Sequence, residues 1–125
     1  MEDFDALTLE ENHRLGIEHF DAGRFFPAHE AWETAWKQAK GTPDEEFFKG
    51  LSQMGAGYVH YRRGNPHGAG VLLRRAISRV MGFGSPHHGV DVERLVAQID
   101  AHAEAFEAAE RGGTGLPDLP TPRLG

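Results

Sequence analysis

Phe47, Leu51, Met54, Tyr58 and Tyr61 recur along one stretch of the chain at alternating steps of four and three. That spacing gathers them on one face of an α-helix and on no single face of a strand. A second stripe runs beside the first: Gly50, Gln53, Gly57 and His60. Glycine inside a helix costs roughly 1 kcal/mol against alanine. The stripe therefore predicts a neighbouring helix packed close upon it. A helix with two such faces is a central one, and the remaining chain has to wrap it.

Glycine, proline and capping residues divide the chain into five helical segments. Thr8-Leu9-Glu10-Glu11 reads as a capping box. The first segment then buries Leu9, Ile17 and Phe20 and stops at Gly23. Pro27 suits the first turn of the second, which carries Ala28, Ala31, Trp32, Ala35 and Trp36 and ends near Gly41. Thr42-Pro43-Asp44-Glu45 reads as a second capping box, with the third segment running on to about Arg63. Gly64-Asn65-Pro66 closes that segment and caps a fourth, whose apolar series is Ala69, Leu72, Leu73, Ala76, Ile77 and Val80. After a loop from Gly82 to Gly89, Asp91 caps a fifth with Val92, Leu95, Ile99, Phe106 and Ala109 on one side. No stretch shows a strand pattern. A faint repeat, Ala22-Gly23-Arg24-Phe25-Phe26-Pro27-Ala28 against Arg63-Gly64-Asn65-Pro66-His67-Gly68-Ala69, reads as two helical hairpins. The expectation is one compact all-α domain over residues 1–111, with hairpins packed around a central third helix. A Gly/Pro-rich tail, ordered on contact or disordered, follows over 112–125.

Nineteen Asp and Glu against thirteen Lys and Arg leave a net charge of −6. That balance disfavours nucleic acid and anionic membrane as partners. The absence of cysteine excludes disulfides, thiolate zinc sites and thiol nucleophiles, and suits a reducing cytosol. Met1-Glu2-Asp3-Phe4-Asp5 lacks the basic and apolar pattern of a signal peptide, and no segment is apolar for long enough to span a bilayer. A cytoplasmic protein without a membrane span is expected. Arg62, Arg63, Arg74, Arg75 and Arg79 gather near the junction of the third and fourth segments. They read as a solvated face with acidic partners, or else as an anion-contact patch; the net charge favours the former.

The second segment holds the pattern His29-x-x-x-Glu33-x-x-Trp36, which puts an imidazole, a carboxylate and an indole on one helix face. If the second and third helices pack antiparallel, His29 and Glu33 can meet Gln53 and His60 in one polar cluster. Three readings stay open. The four groups form a buried hydrogen-bond network that fixes helix register. Or His29, Glu33 and His60 hold a divalent metal, two imidazoles and a carboxylate being the ligand set of open zinc sites. Or His29 and Glu33 act as a metal-free acid–base pair. His29-Glu30-Ala31-Trp32-Glu33 departs from the H-E-x-x-H zincin motif at its last position, which argues against a metalloprotease. Trp32 and Trp36 fit the core series and can also wall a pocket beside the polar group. His67, His87 and His88 are further loop or turn histidines able to take a metal. Ser52 misses the G-x-S-x-G elbow, and Gly68-Ala69-Gly70 follows no strand, so neither a serine hydrolase nor a dinucleotide site is read there.

The motif and its surroundings resemble the family called domain of unknown function 309. Phe20-Asp21-Ala22-Gly23-Arg24-Phe25-Phe26-Pro27-Ala28-His29-Glu30 is similar to its F-x-x-G-x-[FY]-[FY]-x-A-H-E stretch. Lys49-Gly50-Leu51-Ser52-Gln53 is similar to its [QK]-G-L-x-Q element, and His60 with Gly64-Asn65-Pro66-His67-Gly68-Ala69 to its H-x-x-x-G-N-x-x-G-A element. The resemblance covers about residues 15–80. It implies a compact all-α fold and carries no activity with it. The expected function is a small cytoplasmic interaction or scaffold domain with a polar cluster, its partner another protein or a second copy paired through the fifth helix. The alternative is a metal-dependent hydrolase using His29, Glu33 and His60.

Overall fold

The structure is a computed structural model and describes residues 3–113 and 120–125. A short 3-10 turn over Phe4–Ala6 leads into α1 (Leu9–Asp21), α2 (Phe25–Gln38), α3 (Glu45–Arg62), α4 (Pro66–Val80) and α5 (Val92–Gly112). Each helix packs on the next in chain order. No strand occurs among the described residues, only an isolated bridge between His87 and Val90. No helix among them is long and apolar enough to cross a membrane.

The local signals act as their chemistry requires. Thr8 and Glu11 form the full capping box, the Thr8 hydroxyl accepting from Glu11 N and the Glu11 carboxylate from Thr8 N. Asn65 caps α4 by accepting from Gly68 N, with Pro66 in the first turn, and Asp91 caps α5 by accepting from Arg94 N. The second expected capping box is not made. Thr42 instead turns back to α2 and donates its hydroxyl to Ala39 O at 2.7 Å, while Glu45 reaches Gly41 N at 2.9 Å. α3 thus begins at Glu45, two residues later than a cap at Thr42 followed by Pro43 requires, and the Asp44 carboxylate is left to other partners.

α3 is central because it uses three faces. Ser52 and Gly55 face α2. A Cβ at Gly55 would lie 3.1 Å from both the Cα and the N of His29, tighter than an ordinary Cβ contact, so the glycine lets the two backbones come close. Gly50 and Gly57 face α4, where a Cβ would meet Val80 at 2.6 Å and Leu73 at 3.0 Å. On the third face, Tyr58 touches Phe20 of α1 and Phe25 of α2 with ring centroids 5.5 and 5.3 Å away. Its hydroxyl sits 2.6 Å from Nδ1 of His102 on α5. The core so formed is aromatic and fully buried, with Trp32, Phe20, Phe47, Phe48 and Phe106 at its centre.

The expected tail lies partly outside the described residues. Its last part, 120–125, returns to α1, where the Asp21 carboxylate accepts from Leu124 N at 2.8 Å and Gly125 N at 2.9 Å and Leu124 is buried.

Candidate functional site

The His29–Glu33 turn of α2 is pinned from beneath and open above. His29 Nδ1 lies 2.9 Å from the Ser52 carbonyl oxygen and 3.0 Å from its hydroxyl. A carbonyl only accepts, so Nδ1 carries a proton. The Ser52 hydroxyl donates in turn to the His29 carbonyl at 3.2 Å. The ring is thereby locked with Nε2 facing outward, 3.2 Å from Glu33 Oε2. Lys37 meets the other oxygen of Glu33 at 3.2 Å. The His29 side chain is 25% exposed and that of Glu33 39%, so the pair is half-buried rather than a buried network.

Above the pair lies an open cleft of about 300 Å³. Asp3, Asp5, Glu30 and Glu33 bring four carboxylates to it, Phe4 and Phe26 its apolar walls, and His29 and Thr34 its floor. Phe26 is 51% exposed, one of two large apolar side chains so exposed among the described residues. The 3-10 turn that brings Phe4 here is held by Asn12, whose Nδ2 donates to Phe4 O at 2.9 Å.

Hydroxyl, imidazole and carboxylate in sequence have the outline of a hydrolase triad but not its working parts. Ser52 is 4% exposed, lies mid-helix, and commits its proton to a backbone carbonyl. A nucleophile must instead face substrate and hand its proton to the imidazole.

Gln53 and His60 do not join His29 and Glu33. Gln53 Oε1 accepts from Arg79 Nε at 2.9 Å, and Asn65 Nδ2 donates to His60 Nδ1 at 3.1 Å. The reason is the helix period: residues 50, 53, 57 and 60 share the face that meets α4, whereas 52 and 55 share the face that meets α2. The expected metal set of His29, Glu33 and His60 is accordingly split between two helix interfaces. Ser52, one residue from Gln53, is the true partner of His29. Trp32 and Trp36 do not wall the cleft either. Trp32 is fully buried over Gly16 and donates its indole N–H to His13 Nδ1 at 3.1 Å. Trp36 carries the Lys49 ammonium over its ring at 4.9 Å.

Two of the five arginines, Arg74 and Arg79, are engaged by acidic side chains. Arg74 pairs with Asp100 and Glu107, Arg79 with Glu46, and Arg62 lies over the Phe25 ring. The histidines expected as stray ligands separate: His67 meets Glu110 at 2.8 Å, while His87 and His88 both meet Asp44. No sequence motif pointed to Asp44, whose nearest signal was the cap it was expected to join.

Residues 13–72 match the family described as Domain of unknown function (DUF309). That match spans 60 of the chain's 125 residues and supports assignment to the DUF309 family. The matched stretch contains His29, Glu33, Trp36 and Ser52 and closes within α4. No curated protein and no solved structure matches the chain. In this chain the H-x-x-x-E-x-x-W pattern thus divides by role: His29 and Glu33 line an open cleft, and Trp36 lies under the Lys49 ammonium.

Proposed function

We propose that this chain is a helical protein-interaction module that receives a lysine or arginine side chain of a partner protein in the cleft over the His29–Glu33 turn. The observation that carries this reading is the cleft itself. Four carboxylates and an exposed Phe26 surround a histidine whose orientation is locked from the helix behind it. A cation with an apolar stem fits such a surface, because Lys and Arg lay their methylene chains on apolar walls and keep the charged head among carboxylates. Locking His29 through Ser52 removes reorganisation that binding would otherwise have to supply.

The test is nuclear magnetic resonance titration of the labelled full chain with two short peptides, one pairing Arg and Lys with leucine and the other replacing each cation by glutamate. Amide shifts confined to Phe26, His29, Glu30 and Glu33 with the basic peptide, abolished in Glu30→Gln/Glu33→Gln, are the expected result. Equal shifts with both peptides, or shifts elsewhere on the surface, overturn the reading.

A further inference from the structure

The α4–α5 loop, residues 81–91, turns back on the start of α3 with two adjacent histidines aimed at one carboxylate. His87 Nε2 lies 2.8 Å from Asp44 Oδ1, and His88 Nε2 lies 2.8 Å from Asp44 Oδ2. Neighbouring residues of an extended chain point to opposite sides. Here His88 takes a φ of 45°, the left-handed region that a non-glycine residue enters at a cost. His87 and Val90 close the turn by exchanging two backbone hydrogen bonds of 2.9 Å. The result is that both rings reach the same carboxylate.

The two imidazoles are also held in place. Phe47 meets His87 edge-on at 4.7 Å between centroids and stacks on His88 at 5.8 Å, and Phe83 lies 4.9 Å from His87. Behind them stands His13. Its Nδ1 accepts from the Trp32 indole, so Nε2 carries the proton and donates to the His88 carbonyl at 2.9 Å. The backbone that presents His88 is thus tied to the core.

We infer that Asp44, His87 and His88 form a binding site for a divalent transition-metal ion, zinc foremost, which clasps the α4–α5 loop to the start of α3. Two imidazoles and a carboxylate are a zinc donor set. Their ligand atoms lie within 4.8 Å of one another, and among the described residues no other set of three His, Asp or Glu groups does so. Zinc takes such ligands at about 2.0–2.2 Å in a tetrahedron, which sets them roughly 3.4 Å apart. Opening the two Asp44 contacts by roughly half an ångström admits the ion. His88 and Asp44 are each about a third exposed, at 29% and 31% of their side chains, which leaves the fourth position to water. Hydrogen bonding alone does not call for two imidazoles on one carboxylate, nor for a left-handed histidine to bring the second one there.

The test is titration of the tag-free full chain, stripped with EDTA and dialysed, with zinc chloride and with cobalt(II) chloride. The expected result is one zinc per chain by calorimetry, a visible cobalt(II) band of four-coordinate intensity, and a Tm that rises with zinc. His87→Gln and His88→Gln keep a polar side chain beside Asp44. Each should weaken zinc binding by more than the roughly 10–100-fold that loss of an outer-shell partner costs. His67→Gln should leave it unchanged. No saturable binding by the wild-type chain overturns the assignment, and so does binding that survives the His87→Gln/His88→Gln double variant with its helical circular dichroism intact. Should that variant unfold, the imidazole resonances of the wild-type chain decide. Zinc must move those of His87 and His88, and a response confined to other histidines overturns the site.

Discussion

At the scale of the residue, the buried histidines dominate the chemistry. His13 is 7% exposed and His102 9%. Burial pushes His13 below the usual imidazole value of 6.5, against the opposing effect of the His88 carbonyl it bonds. Burial likewise pushes His102 down from 6.5. Burial raises Tyr58, which keeps its phenolic proton, and its hydroxyl is hydrogen-bonded with His102 Nδ1 at 2.6 Å. The sign of the pH effect follows. As pH falls through about 6.5 the unfolded chain takes up protons on both rings while the folded chain does not. Their contribution to stability is complete above that value and is lost on acidification toward the depressed folded values. Urea unfolding between about pH 8 and about pH 5 should show the midpoint falling on the acid side. His102→Gln, which keeps a hydrogen-bond partner for Tyr58, should flatten that limb. An acid limb unchanged in the variant would assign it to other groups. Neither ring announces this in the sequence. His13 sits in a helix of whose expected apolar residues only Phe20 is fully buried and Leu9 and Ile17 are half-buried, and its burial depends on Trp32 arriving over Gly16 from α2.

At the scale of the element, α3 shows what a glycine does in a helix. Gly55→Ala puts a methyl carbon 3.1 Å from the His29 backbone, which has no side-chain freedom to yield. Overpacking of this kind costs about 1–3 kcal/mol. It should also part Ser52 from His29 and loosen the floor of the cleft. Gly82→Ala, with nothing within 4 Å, should change stability by less than about 0.5 kcal/mol. Chemical denaturation of the two variants separates the cases, and equal losses would show that the α2–α3 approach has slack. The stripe of Gly50 and Gly57 could be read in advance as a close helix contact. Which helix it contacts could not, because α2 and α4 both flank α3 in the chain and both carry apolar faces. Assigning the stripe to α2 is what wrongly gathered Gln53 and His60 with His29.

At the scale of the molecule, the helices are joined through Tyr58, which reaches α1, α2 and α5 from α3. Tyr58→Phe retains the ring contacts and removes only the hydroxyl, leaving the buried His102 Nδ1 without its hydrogen-bond partner. A loss of about 1–3 kcal/mol is expected. Thermal unfolding should remain a single transition, since the aromatic packing survives. A separate early transition would mean that α5 is held by the hydroxyl alone.

The sequence by itself determined the number of helices, most of their caps and the residues of their apolar faces. Those properties follow from the helix period and from backbone hydrogen bonds that close within a few residues of one another. It also marked His29 and Glu33 as neighbours, one turn apart on one helix. Only the tertiary structure decided that Ser52 and not His60 completes that pair, and that Asp44 meets His87 and His88 across 43 and 44 positions of chain. It also decided that Trp32 is core rather than pocket wall. Each of these depends on which helix faces which, and that choice is made by packing summed over the whole core, a quantity no single segment carries.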